Sequence, residues 1–261
     1  MAFTVHAVMP GVWHIVDCMG VCMTLLEGEN AAMLVDTGYG IEDVADFMRH
    51  MTDLPLTVFL THNHHDHAMG ARCFPETYML EADMADWRMF TNDEMRRRVL
   101  TQAIGKNLPV DEKTFLAGKI PLPKVMKPGV IDLGGLTAEI IEAPGHTPGS
   151  AVVYVPERKL LLSGDDWNPC TWLFFPQALG LREYRSNMRG IQQLPFEKVL
   201  CPHREALYDR WMFDDFFNAL TDGNLRAAEP VNIAPYEQID TCQATLPHDQ
   251  VLVFDWAKSG L

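Results

Sequence analysis

The 261-residue sequence predicts an α/β fold in which one sheet-and-helix pattern occurs twice. Three observations carry that expectation. Short β-rich runs separated by Gly and Pro turns fill two sections of the chain. Each section is followed by an amphipathic helix and a further strand, and in both that strand runs directly into histidine. The composition permits a buried core, since 48% of residues are apolar and 21% charged. No Ser/Gly/Pro-rich linker separates the halves, so residues 1–261 are read as a single domain.

In the first half, Phe3–Val8, Val12–Val16, Val21–Leu26 and Ala31–Val35 are set apart by Pro10-Gly11, Met19-Gly20 and Gly28-Glu29-Asn30, which favour turns. The fourth run ends in a glycine-rich corner, Asp36-Thr37-Gly38-Tyr39-Gly40. Ile41–Met51 spaces Ile41, Val44, Phe47, Met48 and Met51 as one helical face. Leu56–Leu60 is a short strand that delivers the chain to Thr61-His62. Glu81–Ala103 lacks Gly and Pro and reads as a helix, within a helical insertion over about residues 81–106. Its Met84, Trp87, Met89, Phe90 and Met95 suit core packing or a wall over a cleft, with core the expectation.

The second half opens at Gly129 with Val130–Leu133, Thr137–Ala143, Ala151–Val155 and Leu160–Leu162 as strands. Arg182–Leu194 then presents Tyr184, Met188, Ile191 and Leu194 on one helical face. The strand Lys198–Cys201 ends in Pro202-His203. A helix over Glu205–Leu220 and a β-like tail containing Val251–Trp256 complete residues 205–261.

Charge narrows the function classes. With 21 basic and 35 acidic side chains the net charge is −14, which disfavours a nucleic-acid partner because phosphates call for clustered Lys and Arg. Arg96-Arg97-Arg98, beside Glu94, reads as a solvated helix face. The opening residues lack the basic start and apolar stretch of a secretory signal, and no run approaches the roughly 20 apolar residues of a membrane span. The cysteines Cys18, Cys22, Cys73, Cys170, Cys201 and Cys242 are scattered, as free thiols in a reducing cytoplasm would be. Cys18 and Cys22 have no second pair to complete a metal site. The oligomeric state is open, a two-fold homodimer being the commonest soluble assembly.

The chemistry lies in the histidines. Four of the ten fall in His62-Asn63-His64-His65-Asp66-His67, at the end of an apolar strand. Imidazole nitrogen and carboxylate oxygen there suit a borderline-soft cation; the alternative is a surface His-rich loop. His146 sits in Ala143-Pro144-Gly145-His146-Thr147-Pro148-Gly149-Ser150, a turn restricted by its prolines and glycines. Asp165 follows Leu160–Leu162 in Ser163-Gly164-Asp165-Asp166, and His203 follows another strand. Each candidate ligand stands where a strand gives way to a loop.

His62-x-His64-x-Asp66-His67, preceded by Asp36-Thr37-Gly38 and followed by Pro144-Gly145-His146-Thr147-Pro148-Gly149, Gly164-Asp165 and His203, resembles the metallo-β-lactamase superfamily. The signature regions occur in order over positions 36–203, and they specify fold and metal site far better than substrate. The resemblance implies a four-layer αβ/βα sandwich with a two-metal site along one edge. It implies that His62, His64 and His146 hold one zinc ion, that Asp66, His67 and His203 hold the other, and that Asp165 bridges them. Asp36 would orient ligands by hydrogen bonding. His65 matches a variable position and Asp166 lies beside the motif position, so neither is assigned. Three or four ligands per ion leave an open position for a bridging water, which two Zn2+ ions would acidify while polarising a carbonyl. Asp66 is the implied catalytic residue, accepting the nucleophile's proton or passing it to the leaving group.

Departures from the family's branches sort its activities. The β-lactamases proper have cysteine or serine in the bridging region and are usually exported, so Asp165 makes β-lactamase activity the less favoured outcome. Di-iron flavoproteins carry glutamate at the position of His64, together with a flavin domain. What remains resembles the glyoxalase II-like and lactonase-like hydrolases of small ester, thioester or lactone substrates. Only Arg204, Arg210, Arg226 and Lys258 follow His203 as basic residues, which disfavours a glutathione thioester. The alternative is a single-iron persulfide (sulfur) dioxygenase, whose ligand types are the same. Two features stay open. The aromatic loop 167–176, with Trp167, Trp172, Phe174 and Phe175, suits an acyl pocket, a dimer contact or a core plug. Tyr184 suits an oxyanion donor or, from its place on the apolar helix face, packing.

Overall fold

The first sheet grows strand by strand from the N-terminal half. β1 (Thr4–Met9), β2 (Val12–Val16), β3 (Cys22–Glu27) and β4 (Ala32–Val35) pair antiparallel in chain order. The turn after β1 demands glycine. Gly11 has φ +75°, and a Cβ there would stand 2.5 Å from the Glu27 carbonyl oxygen. This computed structural model describes residues 3–261, so Met1 and Ala2 of the proposed domain lie outside the described residues.

α1 (Val44–Met51) is capped by Asp43, whose carboxylate accepts from the Asp46 N–H, and it buries Val44, Ala45 and Met48. It returns the chain so that β5 (Leu56–Phe59) runs parallel to β4. One helical turn, α2 (His65–Ala68), follows. β6 (Tyr78–Met79) and β7 (Lys124–Val125) then complete a seven-stranded sheet.

Between β6 and β7 the expected single helix is divided. A 3-10 turn precedes α3 (Trp87–Thr91) and α4 (Asp93–Gly105), with α5 (Glu112–Phe115) beyond. Asn92 makes the break: its backbone is extended and its side chain accepts from the Met95 N–H as the cap of α4. The basic run beside it is not one solvated face. Arg96 is 1% exposed, and its guanidinium donates to the carbonyls of Phe115, Ala117 and Gly118, clamping α4 to the end of α5 and the residues just after it.

β8 (Gly129–Asp132), β9 (Thr137–Glu142), β10 (Ala151–Val155) and β11 (Leu160–Leu162) form an antiparallel run. β12 (Cys170–Leu173) leaves this sheet. α6 (Leu181–Ile191) crosses its outer face and returns β13 (Lys198–Leu200) parallel to β11, with β14 (Tyr208–Asp209) at the edge. Because Tyr208 and Asp209 pair with β13, the helix expected from Glu205 starts later, as α7 (Arg210–Ala219). After α8 (Asp222–Arg226), β15 (Glu229–Pro230), β16 (Thr241–Leu246) and β17 (Gln250–Asp255) join β12 in a third sheet, ordered β12-β17-β16-β15.

The core has the layering of a sandwich. Val12, Leu26, Met33, Val35 and Phe59 of the first sheet meet Ile140, Val153, Leu160 and Leu200 of the second. Behind the first sheet, Ile15, Leu25 and Leu34 pack under Val44 and Met48 of α1. Behind the second, Val152, Tyr154 and Leu161 pack under Tyr184, Met188, Phe213 and Phe216 of α6 and α7. Helix, sheet, sheet and helix make the four layers. β4 shows why its run is uninterruptedly apolar: alternate residues face the opposite sheet and α1, so both faces are buried. The loops after β4, β5, β9, β11 and β13 carry Asp36, the 62–67 cluster, His146, Asp165 and His203.

Candidate metal centre

Asp36 organises the floor of the site. It holds φ +65°, a backbone that Asp tolerates better than most residues, and both carboxylate oxygens are engaged. Oδ1 accepts from the Thr61 N–H at 2.7 Å, and Oδ2 accepts from His67 Nδ1 at 3.0 Å. The Thr61 hydroxyl donates to the same carboxylate at 2.9 Å and stands 3.1 Å from His62 Nδ1, from which it can accept. One carboxylate therefore fixes the outer nitrogen of two rings and turns each Nε2 inward. His146 is fixed in the same sense by donating Nδ1–H to the Trp172 carbonyl at 2.6 Å.

The inner atoms converge on Asp165. Its Oδ2 lies 3.1 Å from His203 Nε2, 3.4 Å from His67 Nε2, 3.5 Å from His146 Nε2 and 3.9 Å from His62 Nε2. Asp66 Oδ2 stands 3.6 Å from His67 Nε2 and 3.7 Å from His203 Nε2. His64 Nδ1 is 2.8 Å from His146 Nε2. Two donor groups result, His62/His64/His146 and Asp66/His67/Asp165/His203, each with its donor atoms within 4.8 Å of one another. All seven residues named from sequence are brought together; His65 belongs to neither group.

Burial and charge test whether these groups suit a cation. His62 Nε2, His67 Nε2 and Asp165 Oδ1 are buried without a hydrogen-bond partner, a costly condition that a bound cation relieves. Burial, with repulsion among the rings, holds His62 and His64 well below the usual histidine range; burial likewise lowers His146. These three are neutral ligands at pH 7. Burial is the largest influence on His67 and His203 and opposes their charge, but Asp165 and Asp66 together, with Asp36 for His67, outweigh it and raise both. For Asp66 burial is overcome by His67, His65 and His203, which bring it down to about 2. Asp165, facing His203 and His67, lies well below the usual carboxylate range. The residues fit two divalent cations, one among neutral imidazoles and one among carboxylates.

The family model of the metallo-beta-lactamase superfamily matches residues 16–203. The chain belongs to this superfamily. It is 26% identical over 200 residues to the acyl-coenzyme A thioesterase MBLAC2 of Gallus gallus, over 69% of this chain and 70% of that protein. Among solved structures it is similar to a metallo-beta-lactamase from Pontibacter korlensis, with TM-score 0.57 and 18% identity, over 83% of this chain and 98% of that one. It is also similar to a metallo-beta-lactamase family protein from Thermus thermophilus, with TM-score 0.61 and 19% identity, over 85% of this chain and 82% of that one. The structural likenesses confirm the metallo-β-lactamase fold, and the two donor groups fit a dimetal site in this superfamily.

The open features divide. Trp167 and Phe174 are fully buried, and the Trp167 indole N–H donates to Gln250 Oε1 at 3.2 Å. Phe175 sits with its ring centre 4.8 Å from that of His64 and 5.4 Å from that of His146, and with Trp172 it lines a cleft of about 540 Å³. Phe90, Met95 and Tyr236 line the same cleft, above His64, Asp66, His146, Asp165 and His203. Thus the insertion supplies wall as well as core. Tyr184 is buried and donates to the Asp166 carbonyl, so it packs.

Asp83 and Gln177 escape the sequence, and Asp166, named there without a role, gains one. Asp83 accepts from the Asn63 N–H at 3.0 Å, the Thr147 hydroxyl at 2.8 Å and the Gly149 N–H at 2.6 Å, tying together the loops that bear His62, His64 and His146. Burial pushes its carboxyl up to about 6. Asp166, beside the motif position, accepts from the His146 N–H at 2.9 Å. Gln177 meets His64 Nε2 at 2.6 Å. None lies in a motif. Asp83 is one of five acids in residues 81–106, so nothing in the sequence marks it out.

Proposed function

We propose that the chain is a hydrolase carrying two zinc ions, acting on an ester, thioester or lactone whose acyl part is apolar. The observation that supports it most is the position of Asp165 Oδ2, within 3.9 Å of four imidazole nitrogens, on the floor of a cleft with aromatic walls. His62, His64 and His146 would hold one ion, and Asp66, His67 and His203 the other, with Asp165 serving both. When bound, the ions supply an acidified water and Lewis-acid polarisation of the scissile carbonyl.

The side chains supply the rest. Phe90, Trp172, Phe175 and Tyr236 offer an apolar seat for the acyl group and exclude water beside it. Asp66, ionised and open to the cleft, accepts the nucleophile's proton and returns it to the departing oxygen or sulfur. Likeness to an acyl-coenzyme A thioesterase favours a thioester within this class. Arg98 and Arg204 on the cleft give an anionic leaving portion a partner.

Metal analysis and a substrate panel test this reading. Protein purified without added metal should hold about two zinc per chain and cleave thioesters or lactones with apolar acyl groups. A single iron, with oxygen consumption on glutathione persulfide, would overturn it.

A further inference from the structure

The His64 ring is met on both sides. Its Nδ1 lies 2.8 Å from His146 Nε2, and its Nε2 lies 2.6 Å from the Gln177 amide nitrogen, while Gln177 Oε1 is buried without a partner. Since His146 donates Nδ1–H to the Trp172 carbonyl, its Nε2 carries a lone pair. Two proton arrangements fit these contacts. In the first, the Gln177 NH2 donates to His64 Nε2, His64 carries its proton on Nδ1, and that proton is shared with His146. The two nitrogens that face the site are then spent on each other. In the second, the amide is turned over, Gln177 Oε1 accepts from His64 Nε2–H, and both inner lone pairs are free. Lone pairs 2.8 Å apart repel, so only a cation makes the second arrangement favourable.

The other buried ligand rings have no such freedom. His67 and His146 face acceptors only, a carboxylate and a carbonyl. His62 faces a hydroxyl whose proton is committed to Asp36. An amide alone can either donate or accept. Gln177 is also held in place. The Lys258 ammonium donates to the carbonyls of Phe175, Pro176 and Ala178, and the Leu179 N–H donates to the Gly145 carbonyl, binding this loop to the His146 loop.

We propose that Gln177 is a positioning residue whose amide oxygen selects the Nε2–H tautomer of His64 and so commits His64 Nδ1 to the metal. This inference rests on the metal-binding reading above. Zinc affinity, measured by competition with a chromophoric chelator, tests it on two variants. Gln177→Glu can only accept and should stay within a few-fold of wild type. Gln177→Met, of similar length, should weaken zinc binding by about 10–100-fold, the usual cost of losing an outer partner. The 15N spectrum of the zinc-loaded wild type should show the His64 proton on Nε2, and this holds even where Gln177→Met fails to fold. A zinc-binding wild type matched by Gln177→Met, or a His64 Nε2 without its proton, overturns the role of Gln177 alone. A wild type that takes up no zinc overturns the metal reading and this inference with it.

Discussion

The two donor groups share a wall at Asp165 and differ in almost everything else. His62, His64 and His146 are buried, uncharged at neutral pH, and braced by partners on their outer nitrogens. Asp66, Asp165, His67 and His203 form a cluster of carboxylates and imidazolium rings, and His203 is 29% exposed toward the cleft. A cation entering the first group meets neutral rings and displaces no net proton, since His64 need only move its proton from Nδ1 to Nε2. A cation entering the second meets two carboxylates but must displace protons. The first group is built for holding, the second for exchange with solvent and substrate.

The comparison breaks most completely at the residue common to both. Asp165→Ala removes the acceptor that faces four imidazoles, and both ions should be lost or weakened. The expected fall in kcat/KM exceeds about 100-fold, the upper cost of losing only an outer partner. Zinc content should drop below one ion per chain, with far-ultraviolet circular dichroism unchanged. Retention of two ions would remove Asp165 from its bridging place.

Asp36→Asn comes next. The amide can still accept from Thr61, but it replaces the carboxylate that receives His67 Nδ1–H. The second group should lose about 10–100-fold in zinc affinity. The first should lose less, since Asp36 reaches His62 only through Thr61. Equal losses in both groups would mean that Asp36 holds the site as a single block.

How much of this was legible follows from where the information sits. Ligands at strand ends are local in sequence: His62-x-His64-x-Asp66-His67 and Pro144-Gly145-His146 announce themselves within a few residues. The strands of the two main sheets are legible for the same reason, through short apolar runs and turn residues. The third sheet is not, because β12 pairs in parallel with β17 some eighty positions away, Cys170 opposite Val251, and an aromatic run gives no sign of that partner. Asp83 and Gln177 are equally silent. Each acts on a loop distant in sequence, and a single acid or amide has no spacing to betray it. Asn92 was readable as a cap, but the absence of Gly and Pro around it favoured a continuous helix.

Protons sharpen the contrast between the groups. His67 and His203 lie above the ordinary histidine pKa of about 6.5, so each must lose a proton to become a ligand. His62, His64 and His146 lie below it and are already deprotonated at pH 7. Zinc affinity of the second group should therefore rise as pH is raised from about 6.5 to 8.5, by roughly tenfold per unit for each proton released. That of the first should stay flat. Titration calorimetry in buffers of different ionisation enthalpy counts the protons directly. Identical proton release for both zinc equivalents would refute the electrostatic difference.

The smallest effect lies on the cleft wall. Phe175 stacks on Phe174 at 4.6 Å and lies against His64 and His146, but its face toward the cleft is open to substrate. Phe175→Ala removes apolar contact worth about 1 kcal/mol for a half-buried ring, roughly a fivefold rise in KM for a long-chain acyl substrate. An acetyl substrate, too short to reach the wall, should be cleaved with unchanged kcat and KM, and zinc content should remain at its wild-type level. A fall in kcat for both substrates, accompanied by lost zinc, would instead make Phe175 a support for the neutral imidazole group. The aromatic loop would then serve the metal through ring packing as well as through Gln177, and the acyl seat would have to lie against Phe90 and Tyr236.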